Sequence, residues 1–143
     1  QLVSDAGREL NDLATFESAQ TLQAVERALR RHPATTSLWK RYLDLIDQAA
    51  PTGAEGRAAA ERAIAILDSL ATDPTVPTTA LTLTRGVLLE RLARYPLAER
   101  AYAQAKVDAT SAEDRIVAAS REAVLMVRNA LLNPLPEVRS RQQ

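Results

Sequence analysis

Residues 79–110, TALTLTRGVLLERLARYPLAERAYAQAKVDAT, decide the fold. The stretch divides at Tyr95-Pro96 into two helical patterns. In the first, Leu81, Leu88 and Leu92 recur at helical spacing, with Val87 and Leu89 beside them. In the second, Ala98, Ala101, Tyr102 and Ala105 make one apolar helix face. Pro96 suits the first turn of a helix, where its missing N–H has no partner to lose. Gly86 breaks the pattern. In a helix interior glycine costs roughly 1 kcal/mol relative to alanine, so its missing side chain implies close helix–helix approach. Two short helices, a tight turn and small residues at the crossing make a helical hairpin. A hairpin this short cannot bury both of its faces alone, so it needs neighbours.

Those neighbours read as helices too. Ser111 opens a last helix of about 20 residues, with Glu113 and Asp114 in its first turn, where carboxylates suit the helix dipole. Its expected buried face is Ile116, Ala119, Ala123, Val127 and Leu131; Asn133-Pro134 stops it, and 134–143 is expected to be a disordered tail. Before the hairpin, Asp73-Pro74-Thr75-Val76-Pro77 is the clearest break, with Thr78 or Thr79 as the following cap. Residues 57–70 form a strong helix with Ala60, Ala63, Ile64, Leu67 and Leu70 on one side, preceded by a turn over 49–56. Thr36 or Ser37 caps a helix whose face is Trp39, Tyr42, Leu43 and Ile46. Pro33 ends a helix capped by Ser18 and striped by Leu22, Val25, Ala28 and Leu29. A weak helix over 4–15, with Leu10 and Leu13 apolar and Gly7 a soft spot, comes first. No alternating β pattern appears. The expectation is an all-α chain of about seven helices, one domain over 1–133.

Composition narrows the classes of function. The 143 residues suit one domain. Eighteen basic and eighteen acidic side chains balance, so no overall field draws the chain to nucleic acid or anionic lipid. Sixteen of the basic residues are Arg, and 27 residues are Ala, a helix-favouring bias that also suits a bacterial genome of high GC content. Without cysteine there is neither disulfide framework nor thiolate zinc site, and the compartment, cytoplasm or cell envelope, stays open. No apolar run approaches the roughly 20 residues of a membrane span. The chain opens on Gln1 rather than Met, as expected of a mature form or a piece of a longer chain.

An internal period accompanies the helices. Glu-Arg-Ala occurs at 26–28, 61–63 and 99–101, at spacings of 35 and 38, each time in the second helix of a hairpin. The order helix, turn, helix, break repeats three times before a final single helix. In this the chain resembles the tetratricopeptide repeat family, whose repeat is 34 residues. The fullest copy is 79–112, with Gly86 as the small residue, then Leu89, Tyr95, Ala98, Tyr102 and Ala105. The copy near Thr36 supplies Trp39, the one before it Val25, Ala28 and Pro33, and Ser120 is the small residue of a fourth, half copy. LWKRYL after ALRRHP also resembles the related half-a-TPR repeats. The resemblance implies an α-solenoid of three hairpins and a C-terminal capping helix, its first helices lining a concave groove that receives protein partners.

Catalytic chemistry is not legible. His32 is the single histidine, beside Arg30, Arg31 and Pro33, and is expected to be exposed at a helix end. The pairs Glu9/Asp12, Asp44/Asp47 and Glu113/Asp114 read as solvated helix faces, because glycosidase-type chemistry needs facing carboxylates from different elements. Trp39 and Tyr42 read as core. No phosphate loop is present, and no cofactor, metal or catalytic residue is expected. The groove positions implied by the resemblance are Lys40, Arg41, Asp44 and Asp47, then Thr84, Val87, Glu90 and Arg91, then Arg121 and Leu125. Asp44 stands where the family's carboxylate clamp has Asn, against a chaperone-type clamp. The function expected is therefore a non-catalytic adaptor or scaffold binding a protein or peptide. The alternative is a structural subunit of a larger bacterial assembly, self-associating or packing through its end helices, with Val124, Leu125 and Val127 widening the apolar face of the last one.

Overall fold

A computed structural model describes residues 21–49 and 53–132. Among them are six helices and no strand: α1 (Leu22–Arg31), α2 (Thr36–Gln48), α3 (Gly53–Leu70), α4 (Thr78–Arg91), α5 (Tyr95–Asp108) and α6 (Ala112–Leu132). The helix expected over 4–15, the Ser18 cap, Glu9/Asp12, the Asn133-Pro134 stop and the tail lie outside the described residues.

Local chemistry sets most boundaries. Thr21 is the cap of α1, its hydroxyl oxygen accepting from the Ala24 N–H at 3.2 Å. Ser111 caps α6 in the same way, accepting from the Asp114 N–H at 3.1 Å. Neither Thr36, Ser37, Thr78 nor Thr79 is a cap. Thr35 and Pro77 precede α2 and α4, with no side-chain cap bond at either. Helix α3 begins at Gly53, earlier than the expected 57. Gly53 enters with φ of 73°, and good helix formers on both sides of Gly56 outweigh the glycine's propensity cost. The turn between α4 and α5 closes on Ala93 in the left-handed region at φ 58°, while the Arg94 N–H donates to the Leu89 carbonyl at 2.9 Å. That bond satisfies a carbonyl the helix end would otherwise leave open.

Helix α4 packs extensively on α5, α5 on α6, α3 on α4, and α1 on α2. Helix α2 also lies against α4, and α3 lightly against α1. The second expected hairpin differs from the others, since α3 leans on α4 rather than folding back closely on α2. Core faces follow the helical spacing in four helices, whereas α4, packed on three others, is buried on most sides, with Leu81 and Leu92 of its expected stripe only half-buried. Val25, Ala28 and Leu29 of α1, Trp39, Tyr42 and Ile46 of α2, Ala60, Ala63 and Leu67 of α3, and Ala98, Ala101, Tyr102 and Ala105 of α5 are all buried, as are Val87, Leu88 and Leu89 of α4. Trp39 and Tyr42 are core residues with their polar tips satisfied. The Trp39 indole N–H donates to the Pro33 carbonyl at 2.8 Å, and the Tyr42 hydroxyl donates to buried Glu26 at 2.7 Å. His32 is half-buried at the end of α1 rather than exposed.

The sixth helix reverses its expected face. Ile116, Val127 and Leu131 are 64%, 61% and 78% exposed, while Ala118 and Leu125 are fully buried. Both sides of α6 carry apolar residues, so spacing alone does not choose between them. The inward side is the one with the smaller residue at the close approach to α5, where Ala118 is fully buried. Glu122 accepts from Lys106 of α5 at 2.7 Å, Arg121 reaches Asp47 of α2, and Arg128 reaches Glu90 of α4. Those three residues flank Leu125, so polar pairs edge the buried side.

Candidate functional site: a charged concavity between α2, α4 and α6

Helices α2, α4 and α6 each send residues into one cavity of about 500 Å³. Its charged lining is Asp47, Glu90, Arg91, Arg121 and Arg128, with Val87 and Val124 beside them. Arg121 donates to both carboxylate oxygens of Asp47, at 2.6 and 3.4 Å. Arg128 donates to one oxygen of Glu90 at 2.7 Å, and the Tyr102 hydroxyl donates to the other at 2.9 Å. Tyr102 thus holds Glu90 from beneath, and Arg128 meets it from the rim. The Arg91 guanidinium donates to the carbonyls of Ile46, Asp47 and Ala49 at 3.0, 3.2 and 3.0 Å. These carbonyls close the C-terminal end of α2, where the helix dipole is negative and the acceptors lack helical donors.

Burial and charge act in opposite directions within this network. Burial disfavours the Arg121 charge, but the hydrogen bond and charge of Asp47, with Tyr102 alongside, hold its basicity above the ordinary value. Burial first, then the charge of Glu90 and the bond to it, push the Tyr102 hydroxyl well above the usual phenol range. The same causes act on Tyr42 through Glu26. Both tyrosines therefore keep their protons in the folded state at pH values where the unfolded chain, with its ordinary phenol value of 10.0, releases them. Their contribution to stability is fully present below pH 10 and is lost as pH rises beyond it, at up to about 1.4 kcal/mol per pH unit for each tyrosine. Urea titrations between pH 8 and about pH 11 should show this decline, and Tyr42→Phe and Tyr102→Phe should each flatten it. A profile identical in the double variant would disprove the assignment.

The residues expected in one groove divide between two places. Asp47, Val87, Glu90, Arg91 and Arg121 converge on the cavity described above. Lys40 and Thr84 line a second cavity of about 480 Å³ nearer the N-terminal ends of α2, α4 and α6, together with Trp39, Leu43, Asp108 and Glu113. Thr84 is buried there, its hydroxyl donating to the Ala80 carbonyl at 2.7 Å, so it offers a partner almost no surface. Leu125, expected at the groove, is fully buried in the core. Arg41 and Asp44 line neither cavity; Asp44 is exposed and Arg41 half-exposed. Sequence reasoning missed Arg128, Val124 and the role of Tyr102. Arg128 sits one turn beyond Val124 and two beyond Arg121, and that spacing was the available signal.

Among the described residues no group of three or more His, Asp or Glu stands close enough to hold a metal ion, and no helix is long and apolar enough to cross a membrane. Compared with protein-family models, curated proteins and solved structures, the chain matches none.

Proposed function

We propose that the chain is a non-catalytic protein-interaction module, an adaptor or assembly scaffold built as a short tetratricopeptide-like array. Its concave side receives an extended polar peptide, or a partner helix, that carries both signs of charge. The observation that supports this reading is the convergence of Asp47, Glu90, Arg91, Arg121 and Arg128 from three different helices on one cavity. Cations and anions alternate there, whereas nucleic acid favours an unbroken basic stripe.

Charge pairs at a partly exposed groove act more on orientation and association rate than on affinity. Binding is therefore expected in the micromolar range and weaker at higher salt. Arg91 is a poor probe, because its head is committed to the end of α2. Arg128 is the better one, since about half of its side chain is exposed. With a partner captured from the source organism and purified, Arg128→Glu should slow association severalfold at low salt and change dissociation less. Unchanged association by a variant with a wild-type circular dichroism spectrum would place the binding surface elsewhere.

A further inference from the structure

The outward side of α6 carries no charge along most of its length. Ile116, Ser120, Ala123, Val127 and Leu131 follow one another at helical spacing, with Val124 beside them, and all six are exposed. The four larger members are between 55% and 78% exposed. Nothing among the described residues covers them. They form an apolar surface on the order of 600 Å², at the upper end of the largest patch a typical monomer shows, flanked on opposite sides of the helix by Val117 and Met126.

The stripe is symmetric about its own midpoint. Counting inward from each end pairs Ile116 with Leu131, Ser120 with Val127, and Ala123 with Val124. The two largest residues lie at the ends, and each of the inner two pairs sets a small residue, Ser120 or Ala123, against a valine. An antiparallel second helix of the same sequence therefore sets a large side chain against a large one at each end. At the centre, Ser120 and Ala123 let the two backbones approach. A two-fold axis between 123 and 124 generates this arrangement, as an isologous interface requires.

We infer that the partner of this face is a second copy of the same chain, joined through antiparallel α6–α6 packing. Two such faces bury on the order of 1,200 Å² in total, the lower edge of the range for specific interfaces. An interface at that lower edge is expected to be reversible, with monomer and dimer in exchange. Ser120 and Val124 also line the charged cavity, so the second copy narrows that cavity along its α6 wall.

Sedimentation of the full chain across a wide concentration range tests association. The expected result is a monomer–dimer equilibrium that Val127→Glu abolishes. Leu97→Glu should leave it intact, because Leu97 is an exposed apolar residue on α5, outside the stripe. Far-UV circular dichroism checks that both variants are folded. Orientation is read by disulfide trapping, since the natural sequence has no cysteine. Ala123→Cys should cross-link readily to its own copy near the two-fold axis. Ile116→Cys should not, because residue 116 of the second copy lies about 22 Å away along the helices at 1.5 Å per residue; mixed with Leu131→Cys, whose position lies opposite, it should. A chain that stays monomeric throughout, a dimer unaffected by Val127→Glu, or Ile116→Cys cross-linking to itself overturns the proposal. Because the two surfaces share Ser120 and Val124, partner binding by the concavity is read separately, with Arg128→Glu on dilute, monomeric protein.

Discussion

Gly86→Leu is expected to cost about 3 kcal/mol of stability, at the top of the usual range for overpacking a core. A β-carbon at residue 86 meets the Tyr102 ring at 2.6 and 2.7 Å and the Ala101 β-carbon at 3.3 Å. The ring has no easy way to yield. Tyr102 is fully buried, and its hydroxyl is held by Glu90. Relief requires α4 and α5 to part along the most extensive contact among the described helices. Gly86→Ala is the informative milder variant, because helix propensity favours alanine by roughly 1 kcal/mol while overpacking opposes it by about 1–3 kcal/mol. It should come out neutral to about 2 kcal/mol less stable by the same two figures. Urea unfolding followed by far-UV circular dichroism gives the values. The pair Gly86→Ala with Tyr102→Leu should then show a coupling that favours the double variant, as expected of residues in direct contact. Wild-type stability for Gly86→Leu would refute the close approach.

Arg91→Glu should lower stability by about 3 kcal/mol, for a different reason. Three carbonyls at the end of α2 lose a charged donor, and hydrogen bonds to charged groups contribute about 1.5–3 kcal/mol. The introduced carboxylate then faces those same oxygens at the negative end of the helix dipole, which adds about 0.3–1 kcal/mol of repulsion. For a domain of this size the loss corresponds to a fall in Tm on the order of 10 °C. Arg91→Ala should fall less. Arg91→Lys should recover only part of the loss, because an ammonium is a point charge and cannot fork across several carbonyls. Thermal melts of the three variants provide the ranking, and a Tm for Arg91→Glu equal to wild type would remove Arg91 from this role. Because Arg91 and the residues it holds are more than 40 positions apart in sequence, the contact ties α4 to α2 and fixes one wall of the cavity.

These two residues mark the boundary between what sequence and tertiary structure each determine. The close approach at Gly86 was legible in the sequence, because a glycine inside a strong helical pattern has a propensity cost that something must offset. The face of α5 was legible for a related reason. Ala98, Ala101, Tyr102 and Ala105 are its one apolar stripe, so periodicity leaves no alternative. All-helical content and the core faces of α1, α2 and α3 followed from the same regularity. Periodicity reports which residues share a face, not which of two apolar faces meets the neighbours. On α6 both Ile116–Val127–Leu131 and Ala118–Leu125 are at helical spacing, and the inward side is the one whose polar edges meet Lys106, Asp47 and Glu90 of three other helices. The position of an arginine head is equally non-local. Arg91 and Arg128 look alike as surface cations in sequence, yet one closes the end of α2 and the other stands at the cavity rim. Backbone regularity is decided over a few residues and is written in their order. The choice among faces and charge partners depends on distances across the fold, which exist only once the helices have packed.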